Sequence, residues 1–371
     1  MTGEPLLQLV RTAFGNQAIF MVFNMKTGKD VSELTNYAVD LSVRNRLSPL
    51  TIDKRIRYAM DFWQFLESQP IRLEVFSPSD ACKFRDTELI RVLQDPASRG
   101  HELTAKRTVN DKLQAAKLWL AWLERSGLAR ECASAFDQVF FVRVGSGSKH
   151  KTTFALNEDK LDALRSNMLA AASSEYLIQR NSLIVDIANT VGFRRASINS
   201  LLTSQFDRKK LERTAEETFL VRPPSQKFDY QLEFPVPVWL GLRVCDFISE
   251  YRDPLVKDKR ATAKVHQGRL FLSSRDACPL TNRAITQLLS THIKDIGAPK
   301  GTSIHSLRRK FTNDRIATEI EQRLRRGMDT STMSIAKSVS MSLGQTSPES
   351  IYPYVSRAQS FYDGSKRDKE R

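Results

Sequence analysis

The chain has 371 residues, 41% of them hydrophobic and 27% charged, which is ordinary for a folded protein and long enough for two domains with a core each. No stretch approaches the ~18 consecutive apolar residues of a membrane helix, and the start, with Glu4 ahead of Arg11, lacks a signal-peptide layout; the expectation is a cytoplasmic protein, or a nuclear one in a eukaryotic host, with no membrane partner. Lys and Arg number 57 against 42 acidic residues, a net charge of +15 interspersed with structure rather than gathered in a tail, which points to a phosphate-rich partner held on a folded surface.

Residues 1–29 read as a loosely attached leader or a short first helix. From about Asp30 the pattern is helical. Thr51–Ser68 places Ile56, Met60, Trp63 and Leu66 on one stripe, and Thr108–Leu128 does the same with Leu113, Ala116, Leu120 and Leu123, with Gly127 as a stop signal. Residues 30–141 are therefore predicted to form a small all-helical domain. Lys54, Arg55 and Arg57 on one helix, and Lys106, Arg107 and Lys112 on another, lie off those stripes. They are candidates for contacts with a DNA backbone, and each reads equally well as part of a solvated face. Val142–Thr153 (VRVGSGSKHKTT), rich in Gly, Ser and basic residues, is predicted to be a flexible linker.

Beyond it the pattern is mixed. Asn157 is placed to cap a helix, and Ser182–Phe193, nearly all apolar, reads as a buried helix. Glu217–Pro224 and Tyr230–Pro237 are β-prone runs flanking the turn SQKFD, a predicted hairpin; RLFLSS is another short strand or extended run, and Thr281–Ser342 is helical again. Four scattered cysteines, Cys82, Cys132, Cys245 and Cys278, form no CxxC pair and no zinc spacing, so reduced thiols and no metal are expected.

Five signals follow one another in this second half: VGFRRASINSLL with Arg194, QKFDYQLEFPVP with Lys227, IHSLRRKF with His305 and Arg308, SLGQ with Gln345, and then Tyr354, ten residues past Gly344. In this order the sequence resembles the tyrosine recombinase (phage integrase) family over about Leu156 to Val355. That resemblance implies a mainly α fold with a small β hairpin: a helical core-binding domain at 30–141, a mixed α+β catalytic domain at 154–358, and a C-terminal tail at 359–371. It implies catalytic roles for Arg194, Lys227, His305, Arg308, Gln345 and Tyr354, no cofactor, and as partners double-stranded DNA with paired sites and further copies of the chain, up to a tetramer in the synapse.

The residue types suit that chemistry. A phenol displacing a DNA alkoxide passes through a pentacoordinate phosphorane, whose added charge two guanidiniums can hold. His305 can accept the phenol's proton, Lys227 can protonate the leaving 5′ oxygen, and Tyr354 becomes the phosphotyrosyl ester. Gln345 departs from the usual His or Trp, and Ser197 from the acidic residue usual three places after the arginine. The stretch with EQRLRRGMDTSTM is longer than usual. Pro353 is expected to break the turn begun at Ser347-Pro348, so that Tyr354 emerges past the break while Tyr352 packs. Two other activities remain open at this point: relaxation of DNA in the manner of type IB topoisomerases, and DNA-binding regulation without catalysis.

Overall fold

The computed structural model describes residues 6–14, 17–44, 47–69, 71–96, 102–139, 141–143, 155–227, 230–299, 302–344 and 347–367. The chain forms two compact units, Met1–Lys149 and His150–Arg371. Most of the expected linker lies outside the described residues.

The first unit opens with an antiparallel hairpin, β1 (Leu7–Phe14) and β2 (Gln17–Asn24), in register from Leu7↔Asn24 to Phe14↔Gln17. The expectation of a loose leader or short helix over 1–29 is thus corrected. Leu7, Phe20 and Val22 are buried in the core of the unit, and the Val22 N–H donates to Thr35 Oγ1 at 3.0 Å, fastening the hairpin to the first helix. Four helices follow: α1 (Ser32–Val43), α2 (Pro49–Ser68), α3 (Pro78–Gln94) and α4 (Glu102–Arg125). Their starts are written locally. Ser48 caps α2 ahead of Pro49, and Ser77 with Asp80 forms a capping box around Pro78. The rings of Phe65, Phe76, Phe84, Trp119 and Phe136 surround Phe62 at centroid distances of 4.9 to 6.3 Å.

Lys112 departs from the expected exposed face. It is 5% exposed, and its Nζ lies 2.7 Å from Asp61 and 2.6 Å from Glu88, with Arg91 joining the same two carboxylates. Lys112→Ala should therefore cost stability, about 3 kcal/mol, because it leaves Glu88 buried with a weakened partner. A melting curve checks this; a variant that melts normally and binds DNA weakly would return Lys112 to the surface.

The second unit holds α5 (Glu158–Ala170), α6 (Glu175–Thr190), α7 (Arg195–Ser200), α8 (Arg208–Arg213), α9 (Val238–Phe247), α10 (Asp253–Asp258), α11 (Ala263–His266), α12 (Asn282–Asp295), α13 (His305–Arg326), α14 (Thr332–Ser342) and α15 (Tyr352–Arg367). Helix α6 is the buried one, with Leu183, Ile184, Val185, Ile187 and Ala188 in the core. Asn157 caps α5 by accepting from the Lys160 N–H. Strands β3 (Thr218–Val221) and β4 (Phe234–Pro237) form the second hairpin, paired from Val221↔Phe234 to Thr218↔Pro237. They are shorter than expected, so the connection between them is longer than SQKFD. RLFLSS makes two isolated bridges, Leu202↔Arg269 and Leu272↔Pro279, rather than a strand.

Ile316 and Ile320 of α13, Ile335, Ala336 and Val339 of α14, then Leu343, Ile351 and Val355 make a separate three-helix core. Two expectations change here. Pro353 does not break the chain: α15 begins at Tyr352, and its first turn accommodates a proline whose missing N–H has no partner to lose. The tail is not separate from 359 onward either, since α15 runs through that point. The Gln359 amide donates to Thr330 O at 2.6 Å and accepts from Thr332 Oγ1 at 2.7 Å. No described helix is long and apolar enough to cross a membrane.

Candidate active site

The site begins where α6 ends. Gly192 has φ +69°, a conformation few side chains tolerate, and it turns the chain so that Arg194 can cap α7 in extended conformation. The Phe311 ring of α13 fills the space a side chain at Gly192 would need.

Arg308, on the first turns of α13, is only 8% exposed. One Nη donates to the Gly192 carbonyl and the other to the Leu343 carbonyl at 2.9 Å. A single guanidinium thus ties together the segments that carry Arg194, His305 and Gln345. Burial, and then the neighbouring Arg194, push the Arg308 pKa down to about 9, which still leaves it cationic at neutral pH. Arg194, half-buried, is shifted down by burial as well. Among the described residues no carboxylate pairs with either arginine.

His305 is the first residue of α13, three before Arg308. The residue is exposed, yet the atoms packed around its imidazole, and then Arg309, Arg195, Arg308 and Arg194, hold its pKa below the ordinary 6.5. The imidazole is therefore neutral near pH 7 and free to accept a proton.

Lys227 is exposed in the loop between β3 and β4. That loop is held from α7: Ser197 Oγ donates to the Ser225 carbonyl at 3.0 Å, and the Ser225 N–H donates to Ser200 Oγ at 3.0 Å. Below it, Phe234 of β4 meets Phe193 edge-on at 5.2 Å and packs against Gly344, whose φ is +59° and where a Cβ would come within 2.7 Å of that ring. Tyr354 lies in the first turn of α15, its N–H donating to Ile351 O at 2.9 Å, its ring half-buried against the core shared by α13, α14 and α15.

The structure brings Arg194, His305 and Arg308 into one electropositive group. It sets the Lys227 loop on the helix that Arg194 caps, and Tyr354 on the three-helix core to which α13 belongs. Gln345 lies outside the described residues. Sequence reasoning singled out Ser197 as a departure but missed its hydrogen bond, and that of Ser200, to the loop. In the first unit Lys54, Arg57 and Arg107 are exposed and Arg55 and Lys106 half-buried; Lys54 pairs with Asp111 at 2.7 Å and Arg57 with Asp53 at 2.9 Å. No group of three or more His, Cys, Asp or Glu side chains among the described residues could hold a metal ion.

No family model and no curated protein matches the sequence. Solved structures do match. The XerH site-specific recombinase bound to palindromic difH substrate in a post-cleavage complex is 14% identical, with a TM-score of 0.57 over 87% of this chain and 80% of that one. A lambda integrase dimer bound to a COC′ core site is 12% identical, TM-score 0.53, over 85% and 95%. A variant of the Tn1549 transposon integrase in complex with transposon right end DNA is 15% identical, TM-score 0.52, over 91% and 98%. With its mainly α architecture, small hairpins and this arrangement of motif segments, the chain has the fold of the tyrosine recombinases and integrases.

Proposed function

We propose that the chain is a site-specific DNA recombinase, an integrase that cleaves and rejoins DNA through a 3′-phosphotyrosyl intermediate at Tyr354. The observation that carries this reading is the pair Arg194 and Arg308, near enough to repel each other, one half-buried and the other 8% exposed, with no carboxylate among the described residues to neutralise them. Two such cations stay together only at an energetic cost that an incoming dianionic phosphorane would relieve. Arg308 has five N–H donors and uses two on carbonyls, leaving three for phosphate oxygens.

The Tyr354 oxygen attacks the scissile phosphorus; neutral His305 takes the phenolic proton; Lys227 gives a proton to the departing 5′ oxygen. Gln345 adds a hydrogen bond to the phosphate. Bond energy is kept in the ester, so rejoining needs no nucleotide. In the first unit Lys54, Arg55, Arg57, Lys106 and Arg107 contact the DNA backbone. The pairs Lys54–Asp111 and Arg57–Asp53 are solvent-exposed and therefore weak, so phosphates exchange into them at little cost. Copies of the chain assemble on paired sites, four in a synapse, serving movement of a mobile element.

The test is a duplex nicked next to the cleavage position, from which the cleaved end diffuses away. An enzyme is trapped as a covalent adduct resistant to denaturant. Tight DNA binding with no adduct would make the chain a DNA-binding regulator; adduct on any sequence, with relaxation of supercoils by single copies, would make it a topoisomerase.

A further inference from the structure

We propose that Ser197 and Ser200 are positioning residues that clasp the loop bearing Lys227 and so control protonation of the leaving group. This rests on the reading of Lys227 as the general acid.

Residues 222–227 and 230–233 lie outside the β3–β4 ladder, so bonds other than strand pairing order them. The residue two places before Lys227 is nevertheless bound on both its backbone groups, as it would be in a sheet, but by side chains. The Ser225 carbonyl accepts from Ser197 Oγ at 3.0 Å and the Ser225 N–H donates to Ser200 Oγ at 3.0 Å. The two serines are themselves 6% and 3% exposed. Ser200 Oγ also donates to the Ser197 carbonyl at 2.9 Å, so its hydroxyl proton is committed and its lone pair is aimed at the loop. Gln226 then closes the neck: its amide donates to Pro223 O at 3.2 Å and Leu232 O at 2.8 Å and accepts from the Leu232 N–H at 3.2 Å. Lys227 is the next residue. Both serines belong to α7, and Arg194 is the cap of α7. The general acid and the first phosphate-binding arginine are thereby referenced to one short helix.

The chemistry also accounts for a serine at 197. The bond to Ser225 needs a donor, and an ionised carboxylate has none to give. A carboxylate there would set a negative charge against a carbonyl oxygen and near Arg194; a hydroxyl holds the loop and leaves the arginines uncompensated.

The experiment compares cleavage of ordinary DNA with cleavage of DNA carrying sulfur at the 5′ bridging position, whose thiolate leaves without protonation. Ser197→Ala, Ser200→Ala and Lys227→Ala are measured on both. Each serine variant is expected to lose about tenfold on ordinary DNA, the weight of a hydrogen bond or two, and less than about twofold on the sulfur substrate. Ser197→Ala added to Lys227→Ala is expected to cost nothing further. If the serine variants lose equally on both substrates while Lys227→Ala tells them apart, the clasp is structural and the proposal falls. No loss on either substrate overturns it too. If Lys227→Ala itself fails to discriminate, the general-acid reading falls first, and the clasp loses that purpose with it. Ser200 is the more buried of the two; should its variant unfold by melting curve, Ser197→Ala, which removes one bond only, decides.

Discussion

The Tyr354→Phe protein is expected to form no covalent adduct on nicked DNA and to bind the same DNA with unchanged affinity. The substitution removes one oxygen and keeps a ring that packs against the core of α13, α14 and α15, so the fold is expected to survive it. Tyr352→Phe is the necessary companion. The two tyrosines lie two residues apart in the first turn of one helix, and both rings are half-buried against the same core, so Tyr354 does not emerge past a break while Tyr352 packs, and only the variants tell the two apart. Tyr352→Phe should keep adduct formation. The reverse outcome, adduct persisting in Tyr354→Phe and vanishing in Tyr352→Phe, would move the nucleophile to Tyr352 and leave the rest of the centre in place.

Arg308→Lys is expected to slow cleavage by about a hundredfold or more, the range seen when one preorganised donor to a developing anion is lost, while DNA binding changes little. The ammonium keeps the charge but is a single point on a flexible stem. It cannot serve the Gly192 and Leu343 carbonyls and a phosphate oxygen together. Those buried carbonyls then lose donors, at about 1 kcal/mol each, so the melting temperature should drop as well. Single-turnover cleavage and a melting curve, read on the same preparation, separate the two effects. Cleavage within tenfold of the parent would mean that the fork of the guanidinium is not what the reaction uses.

The segments of the proposed centre were legible because the proposed chemistry restricts residue type and order. Guanidiniums, an imidazole and a phenol cannot be exchanged for look-alikes, so Arg194, His305, Arg308 and Tyr354 stand out against their neighbours. Helices were legible through apolar spacing. What stayed hidden has physical reasons. Lys112 sits three residues after Val109 and four before Ala116, in the inward register of α4; its charge argued for the surface, and only the distant Asp61 and Glu88 explain why it is inside. In the first hairpin β1 mixes apolar residues with exposed Gln8, Arg11 and Thr12, so neither a clean alternation nor a continuous apolar run marks it, and the signal in its sequence is the Gly15-Asn16 pair between two β-prone runs. The serine clasp joins positions 28 and 25 residues apart by bonds to backbone, and no residue pattern encodes a backbone partner. Pro353 carries two opposite signals, since a proline ring breaks a helix interior and suits a helix start, and which applies depends on where the helix begins.

Two glycines of the motifs are keyholes. Gly192 admits the ring of Phe311, and Gly344 admits that of Phe234. In both the missing side chain matters as a volume held open for an aromatic that arrives from elsewhere in the chain. Interiors packed to this density transmit a change of one methyl group, yet trimming the ring at 311 or 234 would not by itself make a side chain at 192 or 344 tolerable, because both glycines also hold a positive φ, +69° and +59°. Under the proposed function, a chain that kept Arg194, His305, Arg308 and Tyr354 but lost one of these glycine–ring contacts would carry its reactive groups without the packing that holds their segments together.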